Sequence, residues 1–392
     1  MLEHWIWLAT RQGLNKRTQY ELLRCFGDPG RVYRASAKDL KELPGITAKG
    51  LAALEDKSLE QAAQILLQCR KKNIQVLTLD DPGYPRRLGG IYDPPIVLYY
   101  LGVLPDWETR PMIGAVGTRR CSDYGIRTGE KFGYELSRCG ALVVSGMAEG
   151  VDAAVLRGVL SAEGTPVVFL AGGVDVVYPA ANSGLYQKLL TGGCILSEYP
   201  PKTKHMKWNF PVRNRLISGI SNAVLVVEAP EKSGALITAR HAMKQGRQVY
   251  VVPSPIDALS GQGSNTLLKD GASMAQCAWD ILRYCQAEYE GISDCCRSFE
   301  NQEKNTKNPA KQKKIIDNSG KPPYIDVEKK PAVRSPQEQA IIDQLLAGPR
   351  LTDAVINDCG LPRGEALAVM TVLELRGILR RLPGNLMKTE ME

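Results

Sequence analysis

The sequence is poor in the residues that most catalytic and metal sites use. Among its 392 residues only 6% are aromatic and three are histidine, at positions 4, 205 and 241. The ten cysteines are scattered and form no C-x-x-C pair, which argues against both a zinc ribbon and a disulfide framework. We therefore expect reduced thiols, no metal site and no cofactor.

Several sequence signatures are also missing. The chain contains no G-x-x-x-x-G-K-[ST], H-E-x-x-H or G-x-S-x-G motif, which argues against P-loop, zinc-peptidase and serine-hydrolase chemistry. No apolar run approaches the roughly 18 residues that a membrane span needs, and the N-terminus has Glu3 where a signal peptide needs basic residues. These patterns predict a cytoplasmic protein that does not contact a membrane.

Positive charge is the main compositional feature. The formal net charge is +8 and the pI is near 8.9, which favours polyanionic partners such as nucleic acid. A chain of this length also exceeds what one hydrophobic core usually organises. Four segments are predicted: a helical domain at 1–75, a Rossmann-like domain at 76–287, a flexible basic linker at 288–334 and a winged-helix domain at 335–390.

The helical segment contains one stretch with a recognisable motif. Leu40–Leu54 resembles a helix-hairpin-helix, in which the Pro44-Gly45-Ile46 turn offers backbone amides to a phosphate. A plain connection between two helices fits the same residues equally well. The linker is marked by charge instead, with nine Lys or Arg against four Asp or Glu between Glu303 and Arg334.

The central segment alternates short apolar runs with helical stretches, the pattern of parallel βαβ units. Most of the runs lack polar alternation, as expected where helices cover both faces of the sheet. We therefore predict an α/β fold with an extended, doubly wound, mostly parallel sheet. The predicted strands are Met112–Val116, Ala141–Ser145, Pro166–Leu170, Cys194–Ser197, Ala223–Glu228 and Gln248–Val252.

The last segment predicts three helices followed by a β-wing, the order of a winged helix. The helices are predicted at Gln337–Leu346, Leu351–Asn357 and Arg363–Arg376, and the wing strands at Leu379–Leu382 and Leu386-Met387. The third helix carries two arginines and two glutamates, so it lacks the basic surface of a helix that reads duplex DNA. Protein contact and weak duplex binding both remain open for this domain.

Three turns follow predicted strands and precede helices, where backbone amides can meet a phosphate. Ordinary strand-to-helix connections also use Gly and Ser, so each turn alone has a purely structural interpretation. Ser233 is in addition predicted to be the N-cap of the helix Ala235–Lys244. The turns contain Gly117, Thr118 and Arg119, then Ser145 and Gly146, then Ser233 and Gly234.

Residues 202–215 combine five basic residues with two aromatic ones, the mixture that single-stranded nucleic acid requires. Lys207, Arg213 and Arg215 are candidates for phosphate contact, with Asn214 beside them, and Phe210 or Trp208 for stacking on a base. If this stretch is extended, Arg213 and Arg215 lie on one face roughly 6.6 Å apart. A solvated basic loop with buried aromatic rings is the alternative.

Carboxylates near strand ends are a further possibility for chemistry. A pair of them can bind a metal or act as acid and base, but such residues more often cap helices or pair with arginine. The residues concerned are Asp152, Asp175, Glu198 and Glu228.

From Tyr84 to Gly271 the chain resembles the DNA-processing protein A (DprA/Smf) family. The matching blocks occur in family order and include Val116–Arg119, Ser145–Asp152, Gly172–Pro179, Leu196–Pro201, Asn209–Arg215, Ser233–Arg240 and Gly263–Asn265. The resemblance implies an extended Rossmann-like domain that binds single-stranded DNA in a basic pocket, without catalysis. It also implies a homodimer that helps to load the RecA recombinase during natural transformation.

Carried over by position, the resemblance assigns the phosphate-binding turn to Gly117, Thr118 and Arg119, and strand contacts to Lys207, Phe210, Arg213 and Arg215. The chain departs from the family pattern at Glu149, Val155 and Val212, where the family commonly has Arg, His and Arg. Each departure removes or inverts a positive charge. Two alternatives are a phosphoribohydrolase of the lysine-decarboxylase-like type, whose Pro-Gly-Gly-x-Gly-Thr loop is missing here, and an interaction scaffold.

Overall fold

Short helices fill the N-terminal region of the computed structural model, which describes residues 1–41, 45–289, 292, 335–346, 348–375, 378–382 and 386–389. Local capping explains where they begin and end. Asn15 caps α2 by accepting a hydrogen bond from the Thr18 amide, and Gly27 ends the same helix at a φ of +85°. The helices are α1 (Leu2–Thr10), α2 (Lys16–Phe26), α3 (Pro29–Arg34), α4 (Ala37–Lys41), α5 (Ala48–Glu55) and α6 (Glu60–Lys71).

A nine-stranded sheet follows in the described part of the chain, ordered β1-β2-β6-β5-β4-β3-β7-β8-β9. The strands from β6 to β9 in this order are parallel, and β1 and β2 add an antiparallel edge. The strands are β1 (Gln75–Thr78), β2 (Val97–Gly102), β3 (Met112–Val116), β4 (Leu142–Ser145), β5 (Val167–Phe169), β6 (Cys194–Ser197), β7 (Ala223–Val226), β8 (Gln248–Val251) and β9 (Ser273–Met274).

Helices cover both faces of this sheet, because successive strand residues are apolar and point to opposite sides. Val143 and Phe132 belong to the core on one face, whereas Val144 and Leu216 belong to the core on the other. The helices are α7 (Arg86–Gly89), α8 (Asp123–Arg138), α9 (Val151–Ser161), α10 (Ser183–Gly192), α11 (Asn209–Ile220), α12 (Ala235–Lys244), α13 (Gln262–Lys269) and α14 (Ala278–Leu282).

The chain divides into two compact units, Met1–Ala310 and Lys311–Glu392. The described part of the second unit consists of α15 (Pro336–Asp343), α16 (Thr352–Asp358) and α17 (Arg363–Leu375) with strands β10 (Arg350–Leu351), β11 (Leu379–Leu382) and β12 (Leu386–Thr389). Ser335 starts α15 with a capping box to Glu338. The three strands form a small antiparallel sheet in the order β10-β12-β11, which is the winged-helix arrangement expected from the sequence.

The fold class predicted from the sequence is confirmed, and its element boundaries differ by a few residues. β3 and β6 begin and end where predicted, whereas β7 ends at Val226 instead of Glu228. The short strand β10 includes Leu351, which the sequence had placed in the following helix. Most of the predicted linker at 288–334, together with Pro44 and the wing residues 383–385, lies outside the described residues.

The described helices include none that is long and apolar enough to span a membrane.

Candidate nucleic-acid interface

A cleft of about 890 Å³ opens where the direction of winding reverses in the sheet. Strand β3 lies between β4 and β7, and the connections that follow β3 and β7 diverge to opposite faces. Such a switch point leaves a crevice outside the carboxyl ends of the strands, where open α/β sheets bind ligands. Four cations, Arg119, Arg120, Arg213 and Lys232, line this cleft together with one carboxylate, Asp152.

The turn after β3 supplies two of the exposed cations of the cleft, Arg119 and Arg120. The Thr118 amide donates to the Glu228 carbonyl at 2.7 Å, which ties this turn to the end of β7. Arg119 is exposed, and its guanidinium carbon lies 4.8 Å from the centroid of the Phe210 ring. A Cβ at Gly117 would come within 2.5 Å of the Val151 side chain, so only glycine fits here. The turn therefore places Arg119 at the cleft, beside the Phe210 ring.

The turn after β4 is occupied by a carboxylate of the protein itself. The Asp152 carboxylate accepts a hydrogen bond from the Ala148 amide at 3.3 Å and also from the amides of Gly117 and Gly146. Burial raises the pKa of Asp152, while Arg213 opposes this shift. The sequence had led us to expect that these amides are open to a phosphate. They are not, because Asp152 already accepts their hydrogen bonds. Ser145 is likewise buried, and its hydroxyl donates to the Ala115 carbonyl at 2.7 Å.

The extended geometry considered for Arg213 and Arg215 is wrong, because both lie in α11, Asn209–Ile220. Residues two apart on a helix point to different faces, so the two side chains diverge. Arg213 is 3% exposed and donates from Nη1 to the Gly146 carbonyl at 2.9 Å and to the Phe169 carbonyl. Burial lowers the pKa of Arg213 to about 10 despite the nearby Asp152. Arg213 thus anchors α11 to the strand ends beneath the cleft.

Arg215 belongs to a separate buried ion-pair network. Its guanidinium donates to Glu198 at 2.7 Å and lies 3.2 Å from Asp93. Lys16 of α2 lies near these three charged side chains. Burial lowers the pKa of Lys16, and the negative charge of Glu198 partly offsets that effect. Arg215 is 4% exposed and is not among the residues lining the cleft. The network instead joins the N-terminal helices to α11.

Phe210 lies at the centre of a ring cluster at the start of α11. Its ring centroid is 5.6 Å from that of Tyr178 and 6.2 Å from that of His205. Lys207 and Trp208 are exposed in the turn before the helix and do not line the cleft. Of the aromatic residues considered for stacking, Phe210 is therefore the one that the fold brings to Arg119.

The turn after β7 completes the cleft at the start of α12. The Ser233 hydroxyl accepts from the Ala235 amide at 3.2 Å, although the N-cap position itself is Gly234 and not Ser233. Asn214 connects this turn to α11 by donating to the Gly234 carbonyl at 3.3 Å. Lys232 precedes the turn, is exposed, and was missed from the sequence. Its position directly before Ser233-Gly234 was the signal that could have identified it.

Three residues depart from the pattern of the family that the sequence resembles, and the structure places each of them in a different environment. Glu149 is exposed and does not line the cleft. Val155 is fully buried in the core between α8 and α9, and Val212 is 41% exposed on the first turn of α11. None of the three places a side chain inside the cleft.

The carboxylates near strand ends are held by partners within the protein. Glu228 accepts hydrogen bonds from the Ser122 hydroxyl at 2.8 Å and from Ser260 at 2.5 Å. Asp175 pairs with Lys72 at 2.5 Å, and Glu198 pairs with Arg215. Within the described ranges no three His, Cys, Asp or Glu side chains are grouped as a metal site would need. These carboxylates therefore cap and pair, the more common of the two roles considered above.

Comparison with known proteins gives matches over most of the chain. The model of the family "DNA recombination-mediator protein A" matches residues 75–286, and that of the "DprA winged helix domain" matches residues 327–385. Protein Smf of Synechocystis is 35% identical over 331 residues, which cover 82% of this chain and 81% of that protein. The DNA processing protein DprA of Bacillus subtilis is 38% identical over 219 residues, covering 56% and 74% of the two chains.

Solved structures agree with these matches. DNA processing protein A from Streptococcus pneumoniae superposes with a TM-score of 0.64 at 30% identity, covering 74% of this chain and 99% of that one. DNA processing protein A from Helicobacter pylori, described for its single-stranded DNA binding mode, gives a TM-score of 0.50 at 29% identity. That match covers 55% of this chain and 98% of the other.

Proposed function

Because the chain belongs to the DprA/Smf family of DNA recombination-mediator proteins, we propose that it binds single-stranded DNA across the cleft at the switch point. The observation that carries the proposal is the juxtaposition of exposed Arg119 with the Phe210 ring at the carboxyl edge of the sheet. Arg119 can neutralise a phosphate, and the ring cluster around Phe210 offers a stacking surface that does not depend on base identity, so this arrangement suits a single strand of any sequence. The Helicobacter pylori relative, described for binding single-stranded DNA, supports the same reading.

Three exposed cations, Arg119, Arg120 and Lys232, are the proposed phosphate contacts. They lie on the two turns that flank the crevice, so a strand crossing it meets charge on both sides. The buried Arg213 and the Ser233-Gly234 turn shape the crevice between them. Lys207 extends this positive surface along the turn before α11, outside the cleft itself.

We further propose that the bound strand is passed to a RecA recombinase, that the working form is a homodimer, and that the process serves DNA uptake and recombination in the cytoplasm without catalysis. Family membership supports the recombination role. The non-catalytic role is supported by the carboxylates Asp152, Glu198 and Glu228, each of which is engaged by partners of the protein. The winged-helix domain is proposed to contribute weak duplex binding or a protein contact.

The binding proposal is tested by titrating fluorescent oligo-dT over a salt series without nucleotide, with duplex of equal length as competitor. The variant Arg119→Ala/Lys232→Ala is expected to lose most of the affinity. The matched control Arg138→Ala/Lys244→Ala removes two exposed cations from the ends of α8 and α12 at the opposite edge of the sheet and should bind normally. Equal losses in both variants would show that binding follows net charge and not the cleft.

The transfer proposal needs a separate measurement. RecA filament formation on a strand coated with single-strand binding protein should accelerate when the wild-type chain is added and should not accelerate with the cleft variant. Acceleration by the cleft variant to the wild-type level would separate RecA loading from the cleft.

A further inference from the structure

Tyr178 carries the outermost ring of the cluster beside the cleft. It lies in the loop after β5, is 40% exposed and is not a cleft-lining residue. Its ring stacks on that of His205, with a centroid distance of 5.1 Å and an interplanar angle of 20°. One face of the Tyr178 ring is therefore covered by a nearly parallel neighbour, and the exposed part of the side chain remains accessible to a ligand.

The loop that carries Tyr178 is held rigidly against the loop that carries His205. The His205 ring nitrogen Nε2 bonds to the Val176 carbonyl at 2.9 Å, and the Gly173 amide donates to the Thr203 carbonyl at 2.9 Å. A Cβ at Gly172 would come 2.8 Å from the His205 ring, so the two loops pack closely because position 172 is glycine. A ring fixed in this way loses little conformational entropy when it stacks on a ligand.

Phe210 is less suited to receive a base than its position first indicates. It is half-buried and already contacts four groups: the Tyr178 and His205 rings on one side of the cluster, and the guanidinium groups of Arg119 at 4.8 Å and Arg213 at 6.0 Å. A base could stack on Phe210 only by displacing one of these partners. Its contacts instead connect the exposed Arg119 to the exposed ring of Tyr178.

Trp208 is the other exposed ring of this region and is 67% exposed. Within the described residues it has no ring or cation partner of the kind that supports Tyr178. An exposed side chain without fixed partners loses rotamer entropy when it stacks. The structure thus distinguishes a supported ring, Tyr178, from an unsupported one, Trp208.

We infer that Tyr178, supported by His205 and Phe210, forms a base-stacking subsite beside the cleft, where it takes the nucleobase next to a phosphate bound by Arg119. The inference rests on the proposed binding of single-stranded DNA. Arg119 and Tyr178 both contact the Phe210 ring, so a single ring separates the phosphate contact from the base contact. The subsite recognises a flat π surface and not the hydrogen-bonding edge of a particular base.

The test compares oligo-dT with an abasic oligomer of equal length, which has the same backbone charge and no bases. Tyr178→Leu is expected to weaken dT binding about tenfold, the usual size of one base–aromatic contact, and to leave abasic binding unchanged. Tyr178→Phe should retain wild-type affinity and Tyr178→Trp should bind dT more tightly. Trp208→Leu, the matched control on an exposed ring, should bind both oligomers as wild type does.

Each result has a defined meaning. If Tyr178→Leu binds dT normally, or loses dT and abasic binding equally, Tyr178 is not the base contact; a loss confined to Trp208→Leu assigns that role to Trp208. If Tyr178→Leu fails to fold, unchanged dT affinity of Tyr178→Trp overturns the inference. Failure of the wild-type protein to bind either oligomer rejects the proposed function itself, whereas normal binding with an inert Tyr178 rejects only the subsite.

Discussion

We predict that substitutions of Arg119, Arg213 and Arg215 have sharply different effects on DNA binding and stability, because the fold buries these residues to different extents. Arg119 is exposed, whereas Arg213 and Arg215 are 3% and 4% exposed. The sequence places all three among the strand contacts. Of the three, the structure leaves only Arg119 free to reach a phosphate directly. This difference can be tested by measuring DNA affinity and unfolding free energy for each variant.

Arg119→Ala is expected to act on binding alone. Loss of one phosphate contact should lower the slope of log affinity against log salt by about 0.7 for a single strand. A hydrogen bond to a charged group contributes about 1.5–3 kcal/mol, so affinity should fall about tenfold or more at low salt. The unfolding free energy should change little, because substitutions of exposed side chains usually change it by less than about 0.5 kcal/mol.

Arg215→Met is expected to act on stability. It leaves Glu198, whose side chain is 1% exposed, without its ion-pair partner at 2.7 Å. Removing one member of a buried pair typically costs about 3–5 kcal/mol, and the nearby Lys16 should reduce that loss. The salt slope of DNA binding should stay at the wild-type value, since Arg215 does not line the cleft.

Arg213→Met should show both effects. It removes hydrogen bonds to the Gly146 and Phe169 carbonyls and leaves the buried Asp152 carboxylate without a nearby cation. Stability should therefore fall, and affinity should fall because α11 loses its anchor beneath the cleft. The salt slope should change less than in Arg119→Ala.

Fluorescence anisotropy over a salt series and urea denaturation on the same preparations give both quantities for each variant. The reasoning is refuted if Arg215→Met lowers the salt slope without loss of stability, or if Arg119→Ala leaves the slope unchanged. Arg138→Ala, an exposed cation at the far end of α8, provides the baseline for non-specific charge loss.

Three further predictions follow from burial, packing and the division of the chain. Burial lowers the pKa of His205 and of His241 below 6.5, so as the pH falls these histidines take up protons in the unfolded chain before they do so in the folded protein. Their contribution to the unfolding free energy, measured with urea, should therefore be complete above pH 6.5 and be lost progressively below it. In Gly146→Ala the new Cβ would lie 2.5 Å from the Arg213 guanidinium, which should cost about 1–3 kcal/mol of stability in the same assay. Truncation after residue 310, where the two compact units divide, should leave oligo-dT affinity unchanged.

Each of these predictions has a contrary outcome. A His205→Asn/His241→Asn variant with the same decline below pH 6.5 as wild type would assign the pH dependence to other groups. Wild-type stability in Gly146→Ala would mean that the Arg213 guanidinium can move at little cost. Loss of dT affinity on truncation would place a strand contact in the second unit.

The fold class followed from local patterns in the sequence. Buried parallel strands such as Met112–Val116 and Cys194–Ser197 are apolar on both faces, and a turn then a helix follows each, so both strand positions and winding could be predicted. The winged helix was equally readable, because Ser335-Pro336 marks a helix start and Leu379–Leu382 a strand. Boundaries shifted by up to three residues where capping and hydrogen bonding set the exact end.

The candidate site could be predicted only in part. Arg119 and Phe210 were identified from the sequence, and the structure brings them to 4.8 Å of each other. Lys232 and Tyr178 were not identified as contacts, because each lies in a separate loop whose distance from the others depends on the order of the strands. Arg215 was chosen for its charge, which says nothing about whether the side chain faces a ligand or a buried carboxylate.

The sequence by itself therefore determined the architecture and the overall charge of the molecule. It indicated a doubly wound sheet, a winged helix, a net positive charge, and a basic and aromatic segment at the start of the helix Asn209–Ile220. Only the tertiary structure decided which of those charges are available. Asp152 binds the amides that a phosphate was expected to take, and Glu198 binds Arg215. The physical reason is that burial and pairing depend on residues far apart in the chain, whereas periodicity and capping depend on neighbours.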